Sequence, residues 1–416
     1  MGFQQGLSGL NGASSSLDAI GNNIANTSTV GFKASNNYFA DVYATSLYGG
    51  SGLQVGIGAK VADVVQQFTQ GNISVTDNPL DVAISGEGFF RMSQDGVISY
   101  TRNGQFHLDS TGYIVNSANM RLTGYVADAS GNIIGGAPTD LLISLAPSPP
   151  KVTEDASLEA NLDSSETAIA ATAIDPADAD TYHFSTSFTV YDEAGNDHGF
   201  VLYFQKTADN AWNVDAYVNG DQVDMFPGNA SNTGTLDFTT AGVMDDINGA
   251  AAAAVSVTVP AATLGTGAAD LVFDLDLTEF TQYGSSSGVS ALSQDGYASG
   301  RIAGVSVDRE GVILGSYTNG QTRTLGQIIT YSFLNPQGLQ PVGNNQWFET
   351  SESGQPVSGS PGSGVLGYVQ AGAVEESNVD LTAELVNLIV AQRMYQANAQ
   401  TIRAQDQILQ TLVNLR

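Results

Sequence analysis

The chain contains three histidines, His107, His183 and His198, and no cysteine. The histidines lie on dissimilar segments. None stands three or four residues from another, so no helix face can offer a pair of them to a metal. Without cysteine there is no disulfide, no thiolate nucleophile and no zinc–thiolate site. Carboxylates remain. Asp274 and Asp276 are two apart, so on a strand they share one face, which a paired-carboxylate hydrolase could use. No aromatic sugar platform is marked near them, and a solvated strand face is the favoured reading. Asp175, Asp178 and Asp180, set among Ala and Pro, read as a solvated loop.

Glycine-rich stretches give no chemistry either. From Gly49 to Lys60 the chain looks like a phosphate-binding loop, but Lys60 follows Ala59 rather than glycine. Val61 stands where Ser or Thr would bind magnesium. The stretch reads as a plain loop, and Gly354 to Gly364 reads as a linker. A turn element recurs at Asp95/Gly96, Asp109/Gly112, Asp128/Gly131, Asp192/Gly195 and Asp308/Gly311. Asp opens a turn through its side chain, and Gly supplies the positive φ that closes it. These are hairpin signals; none has the twelve-residue loop and closing Glu of a calcium site. The residues therefore predict no catalytic site, no cofactor and no metal.

The elements carrying these turns are β-rich runs of Val, Ile, Tyr and Phe, and only the ends differ. At the C-terminus Leu381, Leu385, Leu388, Gln392, Tyr395, Ala399, Ile402, Asp406, Leu409 and Val413 are spaced alternately four and three. That is a heptad seam. Asn378 or Asp380 can cap its start, and Glu384 falls in the first turn, where the helix dipole favours an acid. A weaker seam runs through Phe3, Leu7, Leu10, Ser14, Leu17, Gly21 and Ile24. Gly6, Gly9, Gly12 and Gly21 interrupt it, each costing about 1 kcal/mol relative to Ala. Alone, that segment is not a stable helix; it needs a partner, and the C-terminal seam is the obvious one. The free monomer is expected to keep mobile ends on folded β domains.

Length and composition set the scale. At ~100–200 residues per domain, 416 residues are roughly two to four domains. Net charge is −29, from 13 basic and 42 acidic residues, which disfavours nucleic acid and anionic membranes as partners. Most of that excess lies between residues 151 and 300, with 23 acids against 2 bases. This island follows Pro147–Pro150 and ends near Gly284–Gly288, as an insertion would. No run of apolar residues is long enough to span a membrane. The opening residues show neither a basic region nor an Ala-x-Ala site, so a cleaved secretory signal is not expected.

Longer motifs then carry a resemblance. The run Asn22, Asn23, Ile24, Ala25, Asn26, Thr27, Ser28, Thr29, Val30, Gly31, Phe32, Lys33 resembles the N-terminal signature of bacterial flagellar rod and hook axial proteins. Val30 stands where that signature has proline, which leaves the turn less rigid. Gly86, Gly88, Phe89 and Phe90, with Thr101, Arg102, Gly104 and Phe106, resemble the β domain of that family. Glu376 to Leu381 and Gln392 to Asn398 resemble its closing helix.

The resemblance implies a mixed fold. Long N- and C-terminal α-helices form a coiled-coil-like inner domain, and the outer domains are mainly antiparallel β, one inserted in another. Residues 1–30 with 371–416 would form the inner tube, with 31–70 and 355–370 as connecting segments. Residues 71–147 with 286–354 would form a β domain, and 148–285 an inserted acidic outer domain. Leu7, Leu10, Leu17 and Ile24 with Leu381, Leu385, Leu388, Tyr395, Ile402, Leu409 and Val413 would form the assembly seam. The large insert implies a hook-type member: a non-catalytic subunit of a flexible curved tube that passes motor torque to the filament. Its implied partners are further copies of itself, the distal rod, hook-cap and hook–filament junction proteins, and the type III export apparatus. Export through that apparatus, without cleavage, would place it outside the cell in the flagellum. Two alternatives stay open: a stiff distal rod-type protein and a secreted acidic adhesin-like β protein.

Overall fold

In the computed structural model the described residues are 2–42, 56, 58–128, 130–170, 173–226 and 232–414. Most of the glycine-rich stretch from Gly49 lies outside them; its end, Gly58 to Lys60, begins a strand. The fold is mostly antiparallel β with a helix at each end, Gly2–Ala25 and Leu381–Asn414. Two compact units are present. One comprises Met1–Leu145, Ala303–Ser316 and Thr322–Arg416; the other comprises Ala146–Ile302 and Tyr317–Gln321.

In the first unit, the two terminal helices run antiparallel. Gly6 faces Ile402 near one end, and Asn23 meets Glu384 near the other. The hairpin Ser35–Val42 with Gly58–Gln66 lies against the N-terminal helix. Of the glycines at 6, 9, 12 and 21, the first three are contact points. A Cβ on Gly6 would stand 3.0 Å from the Ile402 side chain, one on Gly9 2.8 Å from Asn398, and one on Gly12 3.1 Å from Phe39. The propensity lost at those positions is exchanged for close approach of the neighbours. Gly21 has open space around it.

The β body of this unit centres on the strand Phe89–Gln94, which pairs with Val97–Thr101, Arg121–Val126 and Thr330–Ser332. Phe89, Tyr100, Tyr331, Phe333 and Trp347 are buried together there. Their rings meet edge to face, with centroids 4.8–5.9 Å apart. The stretch expected to be a linker, Gly354 to Gly364, instead carries the strand Val357–Gly359, paired with Thr330–Ser332.

The second unit is a β structure with its own core. One sheet is antiparallel through Phe184–Tyr191, Asp197–Ala208 and Ala211–Val218. In the other, Asp155–Asp163 runs parallel to Leu271–Asp276 and Thr281–Tyr283, and antiparallel to Gly288–Gln294. Alternate residues such as Phe200, Leu202 and Phe204 point inward and pack with Trp212, Phe273 and Phe280.

The Asp-Gly turns form as their sequence requires. Asp109, Asp128 and Asp308 each accept the amides two and four residues on, at 2.8–2.9 Å. The glycines that follow have φ between +79° and +92°. The carboxylate oxygen is thus consumed within the turn.

Candidate functional site

Among the described residues no group of His, Asp and Glu side chains is placed to hold a metal ion, and the carboxylates singled out from the sequence are engaged locally. Both ring nitrogens of His198 are engaged, Nδ1 with the Asn219 amide at 3.1 Å and Nε2 with Asp192 at 3.3 Å. Burial pushes the Asp192 carboxyl up, but hydrogen bonds from Asn196, Thr266 and His198 outweigh it and hold the group well below the usual range. This is a satisfied knot with no lone pair left for a substrate. One oxygen of Asp276 accepts from the Thr278 amide and hydroxyl, and one oxygen each of Asp175 and Asp178 accepts from a local backbone amide.

The residues singled out from the sequence converge elsewhere, at the junction between the helix pair and the β body of the first unit. Glu375 is its centre and is fully buried. Lys33 Nζ donates to Glu375 Oε1 at 2.7 Å, and Arg102 Nη1 to Oε2 at 3.3 Å. The Gly71 amide adds a third donor at 2.8 Å. Lys33 also donates to the Thr69 carbonyl at 2.7 Å, and Arg102 to that of Gly86 at 2.8 Å. Burial pulls both cations below their ordinary pKa, and Glu375 pushes back. One carboxylate thus ties together the end of the N-terminal helix, the β body and the strand leading to the C-terminal helix.

The surrounding signature residues hold this geometry. Gly31 has φ +71°, and a Cβ there would sit 2.7 Å from the Asn103 amide nitrogen. Its own amide donates to the Glu375 carbonyl at 2.7 Å. A Cβ on Gly104 would collide with the Val82 carbonyl. Phe32 and Gly88 are buried, and Phe90 packs edge-on against Phe106. Thr101 donates to the Asn345 carbonyl, and the Asn345 amide donates to the Val30 carbonyl, which holds the turn where proline is absent. Asn23 exchanges hydrogen bonds with Ser35 at 2.9 and 3.0 Å and reaches Glu384 at 3.3 Å. Thr29 donates to Asn26 at 3.1 Å, closing the turn after the helix, while Ala25 is exposed.

Of the two candidate caps, Asp380 caps the C-terminal helix, accepting the Thr382 and Ala383 amides. Asn378 instead accepts the Ala34 amide and donates to the Gln67 carbonyl, stitching the two termini. Glu375 was not singled out from the sequence. A lone acid in a β segment carries no local signal; the clue lay in Lys33 and Arg102, two cations in a chain with few.

The seam residues divide between two faces. Ile402 meets Gly6, and Leu388 is half buried, as are Leu10, Leu17 and Ile24. Leu7, Leu381, Leu385, Tyr395 and Leu409 stay 38–53% exposed. The Val413 side chain lies outside the described residues. The face of the C-terminal helix turned inward is Glu384, Leu388, Ala391, Asn398 and Ile402. It shares Leu388 and Ile402 with the expected seam and replaces the other column with smaller or polar residues. Opposite it, Val386, Ile389, Val390 and Met394 are each about half exposed.

Comparison with known proteins decides the family. The chain is 42% identical over 420 residues to the flagellar hook protein FlgE of Salmonella typhimurium, with 100% of each chain covered. The chain belongs to the flagellar hook protein FlgE family. The Escherichia coli FlgE is likewise 42% identical with full coverage of both chains. That of Borreliella burgdorferi is 34% identical, with 99% of this chain and 98% of the relative covered. Family models match in four stretches. They are the flagella basal body rod protein at 3–33 and the FlgE/F/G D1 domain at 83–155. The FlaE D2 domain follows at 161–297 and the FlgEFG C-terminal region at 370–415. A crystal structure of Helicobacter pylori FlgE2 is 15% identical with a TM-score of 0.48, covering 73% of this chain and 99% of that one. This family is structural rather than enzymatic. Among the described residues no helix is long and apolar enough to cross a membrane.

Proposed function

We propose that this chain is the subunit of a hook polymer, self-assembling into a flexible curved tube that acts as a universal joint between motor and filament. The observation that carries it is the unpartnered face of the C-terminal helix. One face packs on the N-terminal helix; the other holds Leu385, Val386, Ile389, Val390 and Met394 half exposed along three turns. Fully burying such a side chain contributes ~1.5–3 kcal/mol, so covering these exposed halves contributes on the order of 1 kcal/mol each. Head-to-tail contacts between identical helices, repeated without closing, generate a helical tube.

In this reading residues 1–30 with 371–416 line the tube as a coiled-coil-like layer, joined through 31–70 and 355–370. Residues 71–147 with 286–354 form one β domain, and 148–285 is an inserted acidic outer domain. Acidic, polar outer domains would slide rather than stick, as compression and extension on opposite sides of a bend require. Its partners would be copies of itself, the distal rod, hook-cap and hook–filament junction proteins, and the type III export apparatus, which would deliver it uncleaved. The relatives' names support the hook over the rod.

The test is electron microscopy of the purified chain under polymerising conditions, beside a chain ending at residue 380. That truncation removes the helix but spares Glu375. Curved tubes from the full chain and none from the shortened one are expected. Straight, stiff tubes would favour a rod, and discrete particles in both samples would overturn the polymer reading.

A further inference from the structure

Where the two terminal helices meet the strand Ser35–Val42 there is a cleft of about 330 Å³, lined by Ser16, Ile20, Asn37, Tyr38, Glu384 and Asn387. Its floor contains two acceptors without donors. Glu384 is 8% exposed; its Oε1 accepts from Asn23, but its Oε2 has no hydrogen-bond partner. Asn37 donates to Ser15, and its Oδ1 is buried and unpartnered. An unmatched buried carboxylate oxygen is costly, so the cleft is suited to a donor. The amides of this helix's first turn are already taken by Asp380, so the corner offers acceptors and suits no anion. Asn387 and Tyr38 on the rim are exposed, so the floor can be reached from outside.

The same helix carries the complementary group. Arg393 is exposed and lies among Ile389, Val390 and Met394, the face that assembly would cover. Covering that face strips water from the guanidinium, which then requires acceptors. At 3.6 residues per turn, the nine-position step from Glu384 to Arg393 makes two and a half turns, so the two groups point to opposite sides of one helix. Donor and acceptor on opposite sides give a heterologous contact that propagates from copy to copy.

We propose that the guanidinium of Arg393 from a second copy of this chain docks in this cleft, donating to Glu384 Oε2 and Asn37 Oδ1 beneath the Tyr38 ring. A planar fork of five N–H groups suits two separated acceptors, and an aromatic face beside it adds a cation–π contact. The proposal rests on the polymer reading above and names one contact within it.

The experiment measures the critical concentration for polymerisation of the full chain and of E384Q, R393Q and the double variant. Glutamine at 384 can still accept from Asn23, and circular dichroism checks the monomers. Each single change is expected to raise the critical concentration about tenfold, the scale of one charge-assisted hydrogen bond. The double variant should rise no further than the worse single. If E384Q does not fold, Asn37→Ala takes its place in the cycle. Unchanged R393Q polymerisation, or single effects that multiply in the double variant, would overturn the dock while leaving the polymer. A wild-type chain that never polymerises would overturn both.

Discussion

Removing the charge of Glu375 should cost the first unit far more than removing either of its donors. In Glu375→Gln the shape is kept, but Lys33 and Arg102 lose their shared counterion in a site where they are 0% and 3% exposed. Stripping one partner from a buried ion pair costs ~3–5 kcal/mol. Arg102 cannot escape by losing its proton, whereas Lys33 can. Neutralising an ordinary lysine of pKa 10.5 at pH 8 costs roughly 3 kcal/mol, so the total stays within that range. Lys33→Met, by contrast, leaves Glu375 with Arg102 and the Gly71 amide, and the Thr69 carbonyl keeps Asn378 as donor, so the loss is that of one charged donor, about 1–3 kcal/mol. The assay is urea unfolding followed by fluorescence. The two tryptophans fall one in each unit, so Trp212→Phe leaves Trp347 as reporter of the first. Glu375→Gln should lower stability by about 2 kcal/mol more than Lys33→Met, and the gap should narrow as pH rises and Lys33 releases its proton. Equal costs, or a cost for Glu375→Gln below about 1 kcal/mol, would refute the central role of this carboxylate.

Three further outcomes follow from the same packing. Gly21→Ala, in open space on the N-terminal helix, should slow amide exchange along that helix in the monomer and stabilise it by about 1 kcal/mol. Gly104→Ala, aimed at the Val82 carbonyl, should lower the Trp347 unfolding midpoint by the equivalent of about 1–3 kcal/mol. Burial raises the Asp215 carboxyl from 3.8 to about 6 in the second unit, so its proton is held more tightly folded than unfolded. Stability from that proton is full below pH 3.8 and is lost as pH rises to 6, a change of about 3 kcal/mol. Asp215→Asn should therefore stabilise the second unit at pH 8 and change little at pH 3.5, read by Trp212 fluorescence.

What the sequence made legible depended on whether the signal was local. The Asp-Gly turns were readable because a side chain and an amide two residues away decide them. Both terminal helices were readable from spacing, although glycine argued against the first. Propensity counted only the cost of Gly6 and Gly9, and close packing against Ile402 and Asn398 is a tertiary effect. The strand Val357–Gly359 was missed because its composition is that of a linker and its pairing partner lies about 27 residues away. The inward face of the C-terminal helix was half read. Leu388 and Ile402 fit the heptad, but Glu384 and Asn398 gave no apolar signal: Glu384 meets Asn23, and Asn398 packs against Gly9. Glu375 could be found only through its distant cations.

The claim that matters most is that copies of this chain cover the outer face of the C-terminal helix. With no native cysteine, Ile389→Cys places one thiol on that face, and Ser316→Cys, an exposed β-strand position, serves as control. Maleimide labelling of monomer and polymer reads the answer directly. Cys at 389 should react freely in the monomer and be protected in the tube, while Cys at 316 remains reactive in both. Equal labelling of position 389 in both states would contradict the account.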